Sequence, residues 1–277
     1  MERKNIMIKN SKFVFISGFL IFTLLPVFWM FKISLTPDRL LYSEGVVAWP
    51  SHITFDHYYA VLMEGSFPDY FLNSFIVSFT TAALTTLIAI AAGYALSRFK
   101  FNGRALIIVI LLITQMFPIV MIIAPIYNVL TFINLVDSLA GLILVYTAFN
   151  LPFACFLMQS FFDGSPVELE EAAMMDGCTR FQALEKITLP LCLPGIGATL
   201  GFVFTAAWSE LLFALMFINR QSQMTFPAGI MNFVTKFSVD WGQMAAAMIL
   251  ALIPVCIFFA YIQKFIVQGL TAGALKG

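Results

Sequence analysis

The sequence predicts an all-α membrane protein: six transmembrane helices joined by short connectors, with one helical loop held at the cytoplasmic face. Three observations carry this reading. Hydrophobic residues make up 61% of the 277-residue chain and charged residues 11%, against roughly 45–50% and about 25% in soluble domains. Six apolar runs, at 13–33, 71–97, 105–126, 138–162, 188–217 and 242–264, are each long enough for a bilayer, which takes about 20 largely uncharged residues. Lys and Arg alternate in density from one connector to the next. The connectors leave no room for a separate soluble core, so residues 13–266 read as one six-helix domain between an N-terminal segment, 1–12, and a tail, 267–277.

The first run reads as an anchor and not as a cleaved signal, because it ends in Phe31-Lys32-Ile33 without a small-x-small cleavage site. The loop 34–70 contains SHITFDHYYAVL, in which Thr54 caps a short helix with Tyr58, Val61 and Leu62 on one apolar side. His52 and His57 in this loop lack nearby Cys or a clear carboxylate set, so they read as part of a solvated or binding loop and no metal site is expected. YALSRFKFNGRAL, between the second and third runs, is a basic turn signalled by Asn102-Gly103.

Pro118 and Pro125 interrupt the third run and Pro152 the fourth, each removing a backbone donor. Freed backbone groups in a bilayer need protein or water as partners. Thr114, Gln115, Asn128, Tyr146 and Asn150 near these kinks are therefore candidates to line a cavity, or else to hydrogen-bond between helices. Glu210, in TAAWSELLFALMF, is the one acid inside the fifth run. A mid-bilayer carboxylate costs about 2.5–3.5 kcal/mol, so it faces protein or water: either a pathway-lining acceptor or a buried partner at a helix contact. Gln115, Tyr146, Asn150, Trp208 and Glu210 form the candidate substrate pathway.

Charge sets the orientation. Arg3, Lys4, Lys9 and Lys12 precede the first run; Arg98, Lys100 and Arg104 follow the second; Arg180 and Lys186 follow the fourth; Lys264 and Lys276 follow the sixth. The opposite side carries Lys32, Arg39, Arg220 and Lys236. Both termini and the loop 163–187 are thus expected in the cytoplasm, with loops 34–70 and 218–241 outside. Cys155, Cys192, Cys256 and Cys178 read as small hydrophobes. The chain has no Ser/His/Asp set, P-loop or dinucleotide glycine pattern, so enzymatic chemistry, an ATP site of its own and a nucleic-acid partner are not expected.

The loop 163–187 is the charged island of the chain. Ser165-Pro166-Val167-Glu168 reads as a capping box that starts a helix, and Gly177 as the left-handed residue that ends it. Thr179 and Gln182 repeat the capping pattern for a second helix, leading through Ile187 and Leu189 to Pro190. Ala172 and Ala173 let another backbone approach closely, while Glu168, Glu171 and Asp176 offer charge to a partner. This describes a docking knob; the adjacent acids Glu170 and Glu171 point in different directions on a helix, which argues against paired-carboxylate catalysis.

EAAMMDG, nine residues, then Ile187-Thr188-Leu189-Pro190 resembles the EAA motif of bacterial ATP-binding-cassette importer permeases. LLPVFWMFKISLTP, ITFDHYYAVL, FLNSFIVS, YALSRFKFNGR, DWGQMAAAMILALIP and GLTAGALKG are similar, in that order, to the carbohydrate-uptake subfamily, specifically the smaller maltose-type permease subunit. The resemblance implies the type I importer permease fold in the bacterial cytoplasmic (inner) membrane. It implies a coupling helix in which Glu168, Glu171, Ala172, Ala173, Met175, Asp176, Gly177, Ile187, Leu189 and Pro190 engage an ATPase subunit, with Glu171 as the charged contact. It implies as partners two ATP-binding subunits carrying ATP and Mg, a second, heteromeric permease subunit, and an extracellular or periplasmic sugar-binding protein. Gln223, Thr225, Pro227 and Gly229 would contact that binding protein, with Pro227-Ala228-Gly229 as a tight tip, and the C-terminal tail would reach the ATPases. The expected function is ATP-driven import of a sugar or oligosaccharide by alternating access. A permease for glycerol 3-phosphate or a related polyol is the alternative, and an ion-coupled secondary transporter a more distant one.

Overall fold

The computed structural model describes residues 2–43, 47–235 and 238–274, with side chains described between residues 12 and 263. Lys236 and Lys276 lie outside the described residues, as do the side chains of Arg3, Lys4, Lys9 and Lys264. Among the described residues the chain is helical, apart from an isolated antiparallel bridge between Val234 and Val239. It divides into two compact units, Met1–Pro68 with Ile230–Ile253, and Asp69–Gly229 with Pro254–Gly277.

In the first unit, α1 (Glu2–Ser34) already begins within the expected N-terminal segment 1–12. Near its end Lys32 is buried, with its ammonium 4.6 Å from the centre of the Trp29 ring, an attraction that offsets part of the desolvation. After α2 (Asp38–Leu41), α3 (Asp56–Tyr59) continues as a π turn, Ala60–Glu64. Thr54 Oγ1 accepts the Asp56 N–H at 3.1 Å, as the expected cap does, although Phe55 is the capping residue. The buried side is His57 and Val61, four apart; Leu62 points outward. The expected solvated loop is thus corrected at His57, whose Nε2–H donates to the Thr36 carbonyl at 2.9 Å, while His52 is exposed.

The second unit runs α4 (Phe67–Arg98), α5 (Arg104–Thr114), α6 (Ile119–Phe132), α7 (Leu139–Gly164), α8 (Val167–Met175), α9 (Arg180–Ala183), α10 (Leu189–Leu191), α11 (Leu193–Trp208), α12 (Leu212–Phe217) and α13 (Phe226–Ile230). The last helix, α14 (Trp241–Ala274), continues through most of the expected tail 267–277. Lys12–Ser34, α4, α7 and Trp241–Gln263 are each long and apolar enough to cross a membrane. Two further apolar pairs are sharply bent, each a broken span or a re-entrant loop: α5 with α6 at 102°, and Arg180–Leu191 with α11 at 73°.

The third run breaks at the interruption expected from Pro118, whereas the fifth differs from the continuous span expected at 188–217. The third breaks at 115–118, where Pro118 holds the extended backbone that precedes α6. The fifth breaks after Trp208 and resumes at Leu212. Hydropathy sees only the solvent, and both broken runs remain largely apolar.

At the centre of this unit α7 is packed on two sides by glycines. A β-carbon on Gly93 of α4 would come within 2.8 Å of Met158 Cβ, and one on Gly195 of α11 would collide with the Phe161 ring. Close approach through small residues is how helices associate in lipid, where apolar burial between them gains little. Leu142, Val145 and Tyr146 of α7 then join Val77, Leu130, Ala207, Phe213, Ala214 and Phe217 in one core cluster.

A polar clamp closes the α6–α7 turn. Asp137, at φ +58, accepts the N–H groups of Asn219 and Arg220 on Oδ1, both at 2.9 Å. The Arg220 guanidinium donates to Asp137 Oδ2 at 2.7 Å and to its carbonyl at 2.6 Å. Burial raises the Asp137 carboxyl, but the Arg220 and Asn219 N–H groups and the Arg220 guanidinium outweigh it and hold the group below the ordinary 3.8.

A β-carbon at Gly93 has nowhere to go, so Gly93→Val is expected to cost about 1–3 kcal/mol, read as a lower thermal midpoint of the detergent-purified protein. A carboxyl lowered by folding adds stability that is full above its unfolded pKa and lost as pH falls through its folded one. The difference in thermal midpoint between wild type and Asp137→Asn should accordingly hold from neutral pH down towards 3.8 and shrink below it.

Candidate functional site

The charged island folds as a helix, a turn and a second helix. α8 ends in a Schellman motif: the Gly177 N–H donates to the Met174 carbonyl at 3.1 Å and the Cys178 N–H to the Ala173 carbonyl at 3.0 Å. This geometry puts Gly177 at φ +92, with open space around it, so glycine is required by conformation and not by packing. Thr179 and Gln182 form the full capping box expected for α9. A π turn, Leu184–Thr188, follows, and it ends just before Pro190, which has no N–H to continue a regular ladder. At Cys192 the chain then turns into α11.

The start of α8 departs from expectation. Pro166 takes the capping position, no side chain caps the helix, and the Ser165 hydroxyl is buried without a hydrogen-bond partner. Ser165 instead closes α7, its N–H on the Phe162 carbonyl, while its own carbonyl accepts Arg98 Nη2 at 3.0 Å.

Arg98 is the residue that the sequence reading missed as a partner of this loop. Its Nε donates to Glu170 Oε1 at 2.8 Å and its Nη1 to Ser97 Oγ at 3.2 Å, and Ser97 in turn donates to Asp163. Tyr94 donates to the other Glu170 oxygen at 3.0 Å. The Arg98 and Glu170 side chains are only 6% and 7% exposed, so removing either charge strands the other, at about 3–5 kcal/mol. Beside this pair the Arg180 guanidinium lies 4.9 Å from the Phe99 ring centre, tying α9 to the residue after α4.

With Glu170 turned inward, the helical period turns Glu168, Glu171, Ala172 and Met175 outward as one stripe, and all four are exposed. Met175 is 88% exposed and Phe181 72%. Asp176 and Gly177 are exposed at its end, Ala173 is half-buried, and beyond the turn Ile187 and Leu189 are half-buried and Pro190 exposed. The stripe sets two carboxylates beside small and apolar side chains.

Of the five candidate pathway residues, Tyr146, Asn150 and Glu210 are joined by hydrogen bonds. Glu210 sits in the break between α11 and α12, accepting the Phe213 N–H at 3.0 Å, the Ala214 N–H at 3.3 Å and the Tyr146 hydroxyl at 2.6 Å. Of the two readings of this acid, the geometry matches the buried partner, since the carboxylate caps α12. Asn150 donates to the Tyr146 carbonyl at 2.8 Å in the turn that Pro152 loosens, and Gln115, exposed in the α5–α6 break, donates to the Phe149 carbonyl at 3.3 Å. Trp208 is buried in an aromatic stack with Phe71, Phe204 and Phe226.

The expected tip at Pro227-Ala228-Gly229 is corrected: these residues lie in α13, packed on the first turns of α4. A β-carbon on Gly229 would run into the Tyr70 ring, Ser74 Oγ accepts the Phe226 N–H at 2.6 Å, and Asn73 donates to the Ser222 and Met224 carbonyls. Thr225 is buried, Gln223 and Pro227 half-buried; the exposed residues among those described include Asn219, Arg220, Gln221 and Ser222, then Met231, Asn232, Val234, Thr235 and Ser238.

Asp38, His57 and Asp240 bring potential metal-ligand atoms within 4.8 Å of one another. His57 Nε2–H is committed to the Thr36 carbonyl, and Asp240 Oδ1 caps α14 through the Gln243 N–H at 2.9 Å. Asp38 is exposed, with Oδ1 3.7 Å from His57 Nε2.

Residues 85–272, which include the whole island, match the family described as binding-protein-dependent transport system inner membrane component. The chain belongs to that family. This permease is 36% identical over 269 residues to the sulfoquinovosyl glycerol transport system permease SmoH of Agrobacterium fabrum, covering 97% of this chain and 94% of that one. It is 38% identical over 252 residues to the diacetylchitobiose uptake system permease DasC of Streptomyces coelicolor, covering 91% of each. The trehalose transport system permease SugB of Mycobacterium tuberculosis is 36% identical over 258 residues, 92% of this chain and 93% of that one. A bacterial ABC transporter involved in import of the acidic polysaccharide alginate shares the fold, with a TM-score of 0.81 at 22% identity over 95% of this chain and 98% of that one. The permease is thus a multi-pass membrane protein of the ABC importer fold.

Substituting Gly177 by Ala is expected to cost about 1–2 kcal/mol through the left-handed backbone alone. Amide exchange at Cys178, whose N–H closes the motif, would be correspondingly faster in the variant.

Proposed function

We infer that this permease is the membrane subunit of an ATP-driven, binding-protein-dependent importer of sugars or oligosaccharides, and that separate ATPase subunits dock on α8. The observation that carries the docking assignment is the outward stripe Glu168, Glu171, Ala172 and Met175 on a helix held by an inward acid. The relatives above are described as permeases for glycosides, which favours a sugar over glycerol 3-phosphate or another polyol. The ion-coupled alternative is incompatible with the family. ATP and Mg belong on the ATPases, and the chain's own residues contribute binding and motion, not bond chemistry.

The pattern of Lys and Arg supports cytoplasmic termini and a cytoplasmic α8 in the inner membrane. The partners are two ATPases, a second permease subunit and an extracellular or periplasmic sugar-binding protein; the related alginate transporter is described in complex with a pentasaccharide-bound periplasmic protein. On the external side, contact with the binding protein falls to the exposed residues from Met231 to Ser238 more naturally than to Thr225 or Gly229, which are buried. Of the pathway candidates, Gln115 is the exposed one and the one we assign to meet substrate. Closure of the ATPases on ATP would pull α8, and through it the ends of α4 and α7, opening the pathway outward; hydrolysis would reset it.

Reversing one charge of the stripe tests the docking. Glu171→Lys is expected to lower ATPase co-purification and to cut sugar uptake in proteoliposomes by about tenfold or more. Normal uptake and normal co-purification at intact expression would refute it.

A further inference from the structure

We propose that the buried Arg98–Glu170 pair is the positioning element through which motion of α8 reaches the membrane spans, and that Arg98 is needed for the fork of its guanidinium as well as for its charge. This rests on the reading of α8 as the ATPase docking helix.

The first support is how α8 is held. Its one buried side chain is an acid, Glu170. A helix seated by apolar contacts alone can tilt or slide, because those contacts are weak singly and non-directional. An ion pair with both partners desolvated cannot do so without leaving a buried charge unpaired. Displacement of α8 therefore has to be followed by Arg98 or be resisted by it.

The second support is where Arg98 sends its donors. Nε goes to Glu170 on α8, Nη2 to the Ser165 carbonyl at the end of α7, and Nη1 to Ser97 at its own end of α4. Ser97 passes the link back to α7 through Asp163. One rigid planar group thus fixes three helix ends at once. An ammonium on a flexible stem offers the charge but not this fixed set of directions.

The third support is the adjacency of Glu170 and Glu171. Consecutive positions on a helix lie about 100° apart, and here one carboxylate is buried on Arg98 and Tyr94 while the next is exposed. The two acids thereby act on different sides of the helix, with Glu171 facing the partner and Glu170 carrying the load inward.

The test uses the complete transporter in proteoliposomes with its binding protein, measuring sugar moved per ATP hydrolysed for Glu170→Gln and Arg98→Lys. Both are expected to lower that ratio by about tenfold, within the range by which residues along a coupling route alter it, with ATP hydrolysis falling less than uptake. A wild-type ratio in Arg98→Lys would overturn the role of the fork. Uptake and hydrolysis falling in equal proportion would reduce the pair to a structural one and overturn the proposal. Should either variant fail to assemble, Tyr94→Phe removes one hydrogen bond to Glu170 without touching charge; a smaller loss in the ratio supports the proposal, and none at full expression overturns it. Glu171→Lys in the same assay separates the two readings, because normal uptake and co-purification there would defeat the docking assignment whatever Glu170 shows.

Discussion

A guanidinium buried at the end of α4 is the constraint on which the arrangement of the charged island depends. Arg98 cannot lose its proton, and its side chain is only 6% exposed, so its charge needs partners in the protein and three of its five N–H donors find them there. Those partners are Glu170, the Ser165 carbonyl and Ser97. From this follows the inward face of α8, and from the inward face, by helical period alone, the outward stripe of Glu168, Glu171, Ala172 and Met175. The missing cap at Ser165 follows as well: its carbonyl serves Arg98, and Pro166 takes over the start of the helix. The hydroxyl is left buried without a partner.

The spans show a second constraint, that broken helices in a bilayer need their backbone groups satisfied from within. Two breaks are supplied by single side chains. Glu210 caps α12 with two N–H groups and takes the Tyr146 hydroxyl besides. Gln115, in the α5–α6 break, reaches the Phe149 carbonyl near the turn loosened by Pro152, and Asn150 serves the Tyr146 carbonyl in that same turn. Polar residues in apolar runs are here first of all splints. A transporter that has to move needs such breaks, and the splints define where bending is possible without exposing bare backbone to lipid.

On the proposed reading of α8 as a docking helix, it is both firmly attached and widely exposed. Hydrophobic attachment would have consumed the apolar side of the helix, leaving a partner little to grip. Holding it through one buried ion pair frees Met175 and the neighbouring Phe181 to remain exposed, beside two carboxylates. The same economy explains the small residues: Ala172 lets a partner's backbone close in, and Gly177 ends the helix without a side chain in the way.

Much of this was legible in the sequence, and the boundary between what was and was not is physical. The apolar runs, the capping box at Thr179, the turn at Gly177 and the motif that marks the family depend on residues within a few positions of one another, or on the solvent, and a chain read alone carries that information. Glu170 and Glu171 are indistinguishable locally, since the choice between them was made by Arg98, 72 residues earlier in the chain. The break after Trp208 was hidden because hydropathy is blind to backbone direction, whereas the one at 115–118 was signalled by Pro118. Pro227-Ala228-Gly229 has the composition of a tip but was drawn onto α4 by Asn73, Ser74 and Tyr70. Sequence by itself determined the solvent, the helices and the glycine turn; tertiary structure decided which acid faces inward and which stays exposed, because a buried charge is placed only by the distant charge that neutralises it.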